Sequence, residues 1–135
     1  KSHALDNKIL FRLLDSITEK RAPEAFSLYH RIRLSGTSSE QIFWKVYWQF
    51  KNLLLVSRLS HLSPDHIQKK TDLHPFVIKK AGWALKRFST KEIESIFEWL
   101  ITLWQDSKMK TRDLDGELEL FMLTGRPNLQ LSRFL

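Results

Sequence analysis

The run SSEQIFWKVYWQFKNLLLVSRL, Ser38 to Leu59, decides the fold class. Ile42, Phe43, Val46, Tyr47, Phe50, Leu53, Leu54 and Leu59 recur at three- and four-residue steps, which sets them along one side of a long helix. A strand would alternate instead. Ser38 or Ser39 supplies the side-chain oxygen that caps the first turn. Trp44, Trp48 and Leu55 widen the apolar arc beyond what a surface helix carries, so this helix is expected to be covered on more than one side.

The same periodicity extends both ways from this helix. Leu5, Ile9, Leu13 and Ile17 descend one face of a first helix that ends near Glu19-Lys20-Arg21. Pro23, tolerated in a first turn, opens a second helix with Phe26, Tyr29 and Ile32, and Gly36 stops it, giving an αα-hairpin. Downstream, Ser63-Pro64-Asp65 starts a short helix carrying Ile67. His74-Pro75 starts another, with Val77, Ala81, Ala84, Leu85 and Phe88 on its inner face. Ser89-Thr90-Lys91-Glu92 reads as a capping box ahead of Ile93, Ile96, Phe97, Leu100 and Trp104, and Trp104 is assigned to the core. A last short helix, Glu117 to Leu123, ends at Thr124-Gly125. Only four Gly and four Pro interrupt 135 residues. The expectation is one all-α domain of about six to seven helices, large enough to bury a core without staples.

The chain is poor in the residue patterns that carry chemistry. With no cysteine, disulfides and thiolate sites are excluded. No GxxxxGK[ST] occurs, and the glycines stand scattered at 36, 82, 116 and 125, so nothing offers a phosphate cradle. The histidines at 3, 30, 61, 66 and 74 have no partner histidine one helical turn away, as a helical metal site requires. Asp113, Asp115, Glu117 and Glu119 sit at a helix start, where the dipole favours carboxylates without any Mg²⁺. No catalytic, cofactor or metal residue is predicted. The longest unbroken aliphatic run, Leu53 to Val56, is far short of the ~18 residues a membrane span needs, and no leader-like segment opens the chain. A soluble cytoplasmic protein without a membrane partner is expected.

What the chain does have is positive charge and tryptophan. The formal net charge is +7. Lys69, Lys70, Lys79, Lys80, Lys86, Arg87 and Lys91 stand against only Asp65 and Asp72 in one stretch, a candidate basic face for phosphates or for an acidic protein. Leu73 to Ser89, LHPFVIKKAGWALKRFS, with the helix before it, also has the outline of a helix-turn-helix whose second helix would present Lys79, Lys80 and Arg87 to a groove. That helix lacks the Asn, Gln or Arg in its first turn that bidentate base contacts use. Trp48, Trp83 and Trp99 are the candidate partner-contact residues, Trp83 and Trp99 because they stand off the best apolar stripes of their helices.

His74, Pro75 and Phe76, with Leu73 and Val77 beside them, then Lys79-Lys80-Ala81, Ala84, Arg87-Phe88-Ser89 and Glu92-Ile93, form a pattern that continues to Asp106, Lys110 and Thr111. This pattern resembles the C-terminal domain of the delta subunit of bacterial DNA polymerase III, a clamp-loader subunit. Weaker likenesses at Leu13-Leu14-Asp15, Ala25, Trp48-Gln49-Phe50 and Leu53-Leu54 extend it from about Leu5 to Leu123. Two departures, Arg112 where the family commonly has glycine and Gly116 where it usually has proline, are expected to touch only the turn before the final helix.

The resemblance implies an all-helical collar domain over residues 1–125, with 126–135 as a tail. It implies a chain with no active site and no cofactor, belonging to a DNA-directed DNA polymerase (nucleotidyltransferase) holoenzyme that works at the replisome on the bacterial nucleoid. Its partners would be the gamma or tau and delta-prime subunits through the collar. The sliding clamp would be reached through two preceding AAA+-like domains, roughly 200 residues ahead of Lys1, and DNA only indirectly. The alternatives are the helix-turn-helix-like nucleic-acid module and an unrelated helical adaptor.

Overall fold

A computed structural model describes residues 3–129, with side chains from residue 7 onward. Lys1 and positions 130–135 of the expected tail lie outside the described residues, as does the side chain of Leu5. Among the described residues seven helices follow in order: α1 (His3–Thr18), α2 (Ala22–Leu34), α3 (Ser39–Arg58), α4 (Pro64–Thr71), α5 (Pro75–Ala84), α6 (Thr90–Lys108) and α7 (Leu114–Thr124). The fold is all-α.

Local chemistry sets the helix starts. Ser38 and Gln41 form a reciprocal capping box on α3, and the Ser63 side chain caps α4. His74 Nδ1 accepts the Phe76 N–H at 3.0 Å, with Pro75 in the first turn of α5, where its missing N–H costs nothing. At α6 only half of the expected capping box forms. Ser89 accepts the Glu92 N–H, but the Glu92 carboxylate turns away to the Lys20 ammonium at 3.0 Å. Asp113 caps α7, which therefore begins a turn earlier than the sequence suggests. A Cβ on Gly116 would come within 2.8 Å of the capping Asp113 Oδ2, so glycine suits the third position after the cap.

The helices pack around α3, which contacts α1, α5, α6 and α7, while α1 pairs with α2, and α2 in turn lies on α7. Leu13, Ile42, Phe43, Val46, Phe50, Ile93, Leu100, Leu103 and Leu118 are fully enclosed. The phase of two helices differs from expectation. On α5 it is Ile78, not Val77, that reaches the core. On α6 Trp99 is 2% exposed and packs against Phe121 of α7 with ring centroids 5.0 Å apart, so it is a core residue and not a partner contact. Trp104 is only half-buried. It stacks on Phe43, with the Lys108 ammonium 4.3 Å from its ring centre. Trp44, Trp48 and Leu55, expected to widen the buried stripe of α3, point outward.

Polar ties fasten α7 to the rest. The Asp115 carboxylate accepts from the Tyr29 hydroxyl and from Arg33 Nε at 3.0 Å, joining α2 to α7. Burial, the largest single influence on Asp115, opposes its ionisation. The hydrogen bonds from Arg33 and Tyr29 outweigh that influence and hold the carboxyl below its ordinary value. Burial, with the Asp115 hydrogen bond, pushes the Tyr29 phenol up in turn. Glu119 meets His30 at 2.7 Å.

Arg112 does more than occupy a turn. Its side chain is 6% exposed and reaches Asp106, Glu117 and the Asn128 carbonyl, which binds the end of α6, the start of α7 and the chain beyond α7 together. The expectation that this departure affects only the local turn is thereby corrected.

Candidate interaction surface

Three helices leave an apolar gap at the surface. Between α1, α3 and α5 runs a groove of about 520 Å³, floored by Leu14, Leu53, Ala81 and Ala84. Four large aromatics stand round it: Phe11 (56% exposed) on α1, Trp48 (44%) on α3, and Phe76 (52%) and Trp83 (47%) on α5. Their clustering follows from helix geometry. Phe76, Lys79, Lys80 and Trp83 recur at three- and four-residue steps, so one face of α5 carries all of them while Ile78, Ala81 and Ala84 face the core.

Beneath the groove surface lie two amides, Gln49 and Asn52. Gln49 Nε2 donates to the Leu14 carbonyl at 3.0 Å, while its Oε1 and the Asn52 Nδ2 of the next turn are buried with no partner among the described residues. Asn52 is 4% exposed in the middle of an otherwise apolar run. Leaving such an atom unsatisfied costs about 1–3 kcal/mol, which for Gln49 is set against the bond that ties α3 to α1.

Charge on the groove is divided. Lys80 Nζ is held by Asp15 at 2.6 Å across the gap, and Glu19 pairs with Arg21. On the α5 side, Lys79 lies over the Trp83 ring, and Arg87 donates to the Trp83 carbonyl. Neither cation meets a carboxylate among the described residues.

The structure brings only some of the predicted site residues together. Trp48, Phe76, Lys80, Trp83 and Arg87 share the groove, with Lys79 at its edge. Lys69 and Lys70 are exposed at the end of α4, and Lys86 is exposed beyond α5. The basic residues are thus spread over separate elements, and the outer face of α5 carries aromatics beside Lys79 instead of a row of base-reading donors. His74 and Pro75 form the α5 start, and Phe88 is buried. Lys110 adopts the left-handed conformation (φ 62°) after α6, with the Thr111 N–H bonded to the Asp106 carbonyl at 2.9 Å. Asp106, Lys110 and Thr111 therefore make a helix-ending turn. Among the described residues no His, Asp and Glu grouping suits a metal, and each acid from Asp113 to Glu119 has a structural partner. No helix is long and apolar enough to cross a membrane, among the residues described.

Comparison with known proteins agrees with this architecture. Curated proteins give no match. Among solved structures, the Bacillus subtilis DNA clamp loader delta protein (YqeN) superposes with a TM-score of 0.75 at 24% identity, over 89% of this chain and 36% of that one. This chain therefore spans about a third of the length of that protein, and at this identity the likeness concerns the fold. A profile of the family described as "DNA polymerase III delta subunit, C-terminal domain" matches residues 7–125, all seven helices save the first turn of α1. The chain belongs to this family, the C-terminal domains of DNA polymerase III delta subunits.

Proposed function

We propose that this domain is the collar of a clamp-loader delta subunit, a non-catalytic assembly module. It joins delta to the gamma or tau and delta-prime subunits of a DNA-directed DNA polymerase holoenzyme in the cytoplasm. By doing so it positions N-terminal domains that act on the sliding clamp, and it meets DNA only indirectly. The observation that carries this reading is the set of four exposed aromatics, Phe11, Trp48, Phe76 and Trp83, around one groove. A monomer gains nothing from grouping such area in water, whereas interfaces are enriched in it.

The test is gel filtration of this chain with the C-terminal regions of gamma or tau and delta-prime from the same organism. A shared peak that Trp48→Ala and Trp83→Ala diminish, with the fold intact, is expected. Separate elution of the native chain at micromolar concentration contradicts the reading.

A further inference from the structure

The chain that leaves α7 reverses at once. Gly125 ends the helix in the left-handed conformation (φ 70°), the Thr124 hydroxyl accepts the Arg126 N–H at 3.1 Å, and Pro127 stiffens the turn. The backbone is thereby led back along α7, and Asn128 meets Glu117, about two helical turns before Gly125. There it completes a cluster. Asn128 donates its side-chain N–H to Glu117 Oε1 at 3.3 Å and its carbonyl accepts from Arg112 Nη2 at 2.9 Å, while the Arg112 guanidinium spans Asp106 and Glu117. The three charged side chains are 6%, 19% and 19% exposed, whereas in every other ion pair among the described residues each side chain is at least 34% exposed. Pairs of the exposed kind contribute little, and breaking an enclosed one costs far more.

We propose that residues 126–128 are a strap that belongs to the folded domain, although the family profile ends at residue 125, and that strap and Arg112 depend on each other. The strap takes water from the guanidinium and supplies one acceptor to it and one donor to Glu117. Arg112 in turn holds the strap down. With either removed, the pairs to Asp106 and Glu117 fall back to the exposed, weak kind. The strap also sets where the residues after Asn128 begin: beside the α6–α7 turn, not at the far end of α7.

The test melts four chains, ending at Leu129 or at Gly125, each with the native Arg112 or with Arg112→Ala. Ending the native chain at Gly125 should lower the melting temperature by about 5 °C or more, and the same truncation should move the Arg112→Ala chain by less than about 2 °C. Equal melting of the two chains that keep Arg112, or equal losses in both backgrounds, overturns the proposal. A second readout stands where a truncated chain fails to fold. The sequence has no cysteine, so Gln105→Cys and Leu129→Cys place two spin labels on the whole chain without competing thiols. One narrow distance distribution is expected, and it should broaden on adding Arg112→Lys, which keeps the charge but loses the two-pronged geometry. A broad distribution with Arg112 present, or one that stays narrow after the substitution, overturns the proposal.

Discussion

Replacing Trp99 with alanine should be among the costliest single changes in this domain, and replacing Trp83 among the mildest for stability. Trp99 is 2% exposed and packs on Phe121, so its removal opens a cavity between α6 and α7. Such a truncation costs about 3–5 kcal/mol. The indole Nε1 has no partner among the described residues, and deleting that unsatisfied donor returns part of the loss. A net destabilisation of about 3 kcal/mol follows, a large share of the ~5–15 kcal/mol that domains possess. For a domain of this size it lowers the melting temperature by about 10 °C. Trp83 is 47% exposed, and the Lys79 ammonium lies 5.5 Å from its ring centre, so Trp83→Ala should cost less than about 1 kcal/mol. Urea titration of both variants, with the slope checked for constancy, makes the comparison. A Trp99→Ala loss under about 1 kcal/mol, or equal losses for the two, would refute the placement of α6 against α7.

Trp104→Ala, at a half-buried site stacked on Phe43, should fall between these two, at about 1–2 kcal/mol by the same titration. Arg112→Ala strands Asp106 and Glu117 and releases the Asn128 carbonyl, so about 3 kcal/mol should be lost, with amide protection near residue 128 disappearing in hydrogen exchange. Lys80→Ala breaks a bridge exposed to water on both sides and should change stability by under about 1 kcal/mol, as thermal melting will read. Asp115 titrates below its unfolded value, so its stabilisation is complete above about pH 4 and drains away as the pH falls through the native value. Asp115→Asn should therefore be less stable near neutrality and show a shallower acid decline; parallel pH curves for variant and native chain would show that Arg33 and Tyr29 do not hold the carboxylate.

The sequence makes legible whatever is local. Ser38, Ser63, His74-Pro75 and Ser89 each begin a helix because capping oxygens, a ring nitrogen and first-turn prolines act within three or four residues. What is decided between helices is harder to read. Trp99 and Trp104 flank the Ile93, Ile96, Leu100 and Leu103 stripe on opposite sides, and only the arrival of Phe121 from α7 decides which is enclosed. The groove was half legible. Trp48 and Trp83 stand out as surplus aromatics, while Gln49 and Asn52 beneath it pass as ordinary polar residues until their partners are counted. Asn52 inside the run from Phe50 to Val56 was the available signal. Arg112 offered another, since an arginine where relatives of similar pattern carry glycine needs somewhere to put its side chain.

The most direct measurement is the dissociation constant of this chain for the C-terminal regions of gamma or tau and delta-prime, followed across a salt series and set beside its affinity for duplex DNA. An apolar collar contact predicts micromolar or tighter binding to those subunits that changes only modestly with salt, and weak DNA binding whose logarithm falls linearly with the logarithm of salt. Tight, salt-sensitive capture of DNA with no binding to the other subunits at moderate salt would contradict the account and return the basic α4–α5 pair to the reading of a nucleic-acid module.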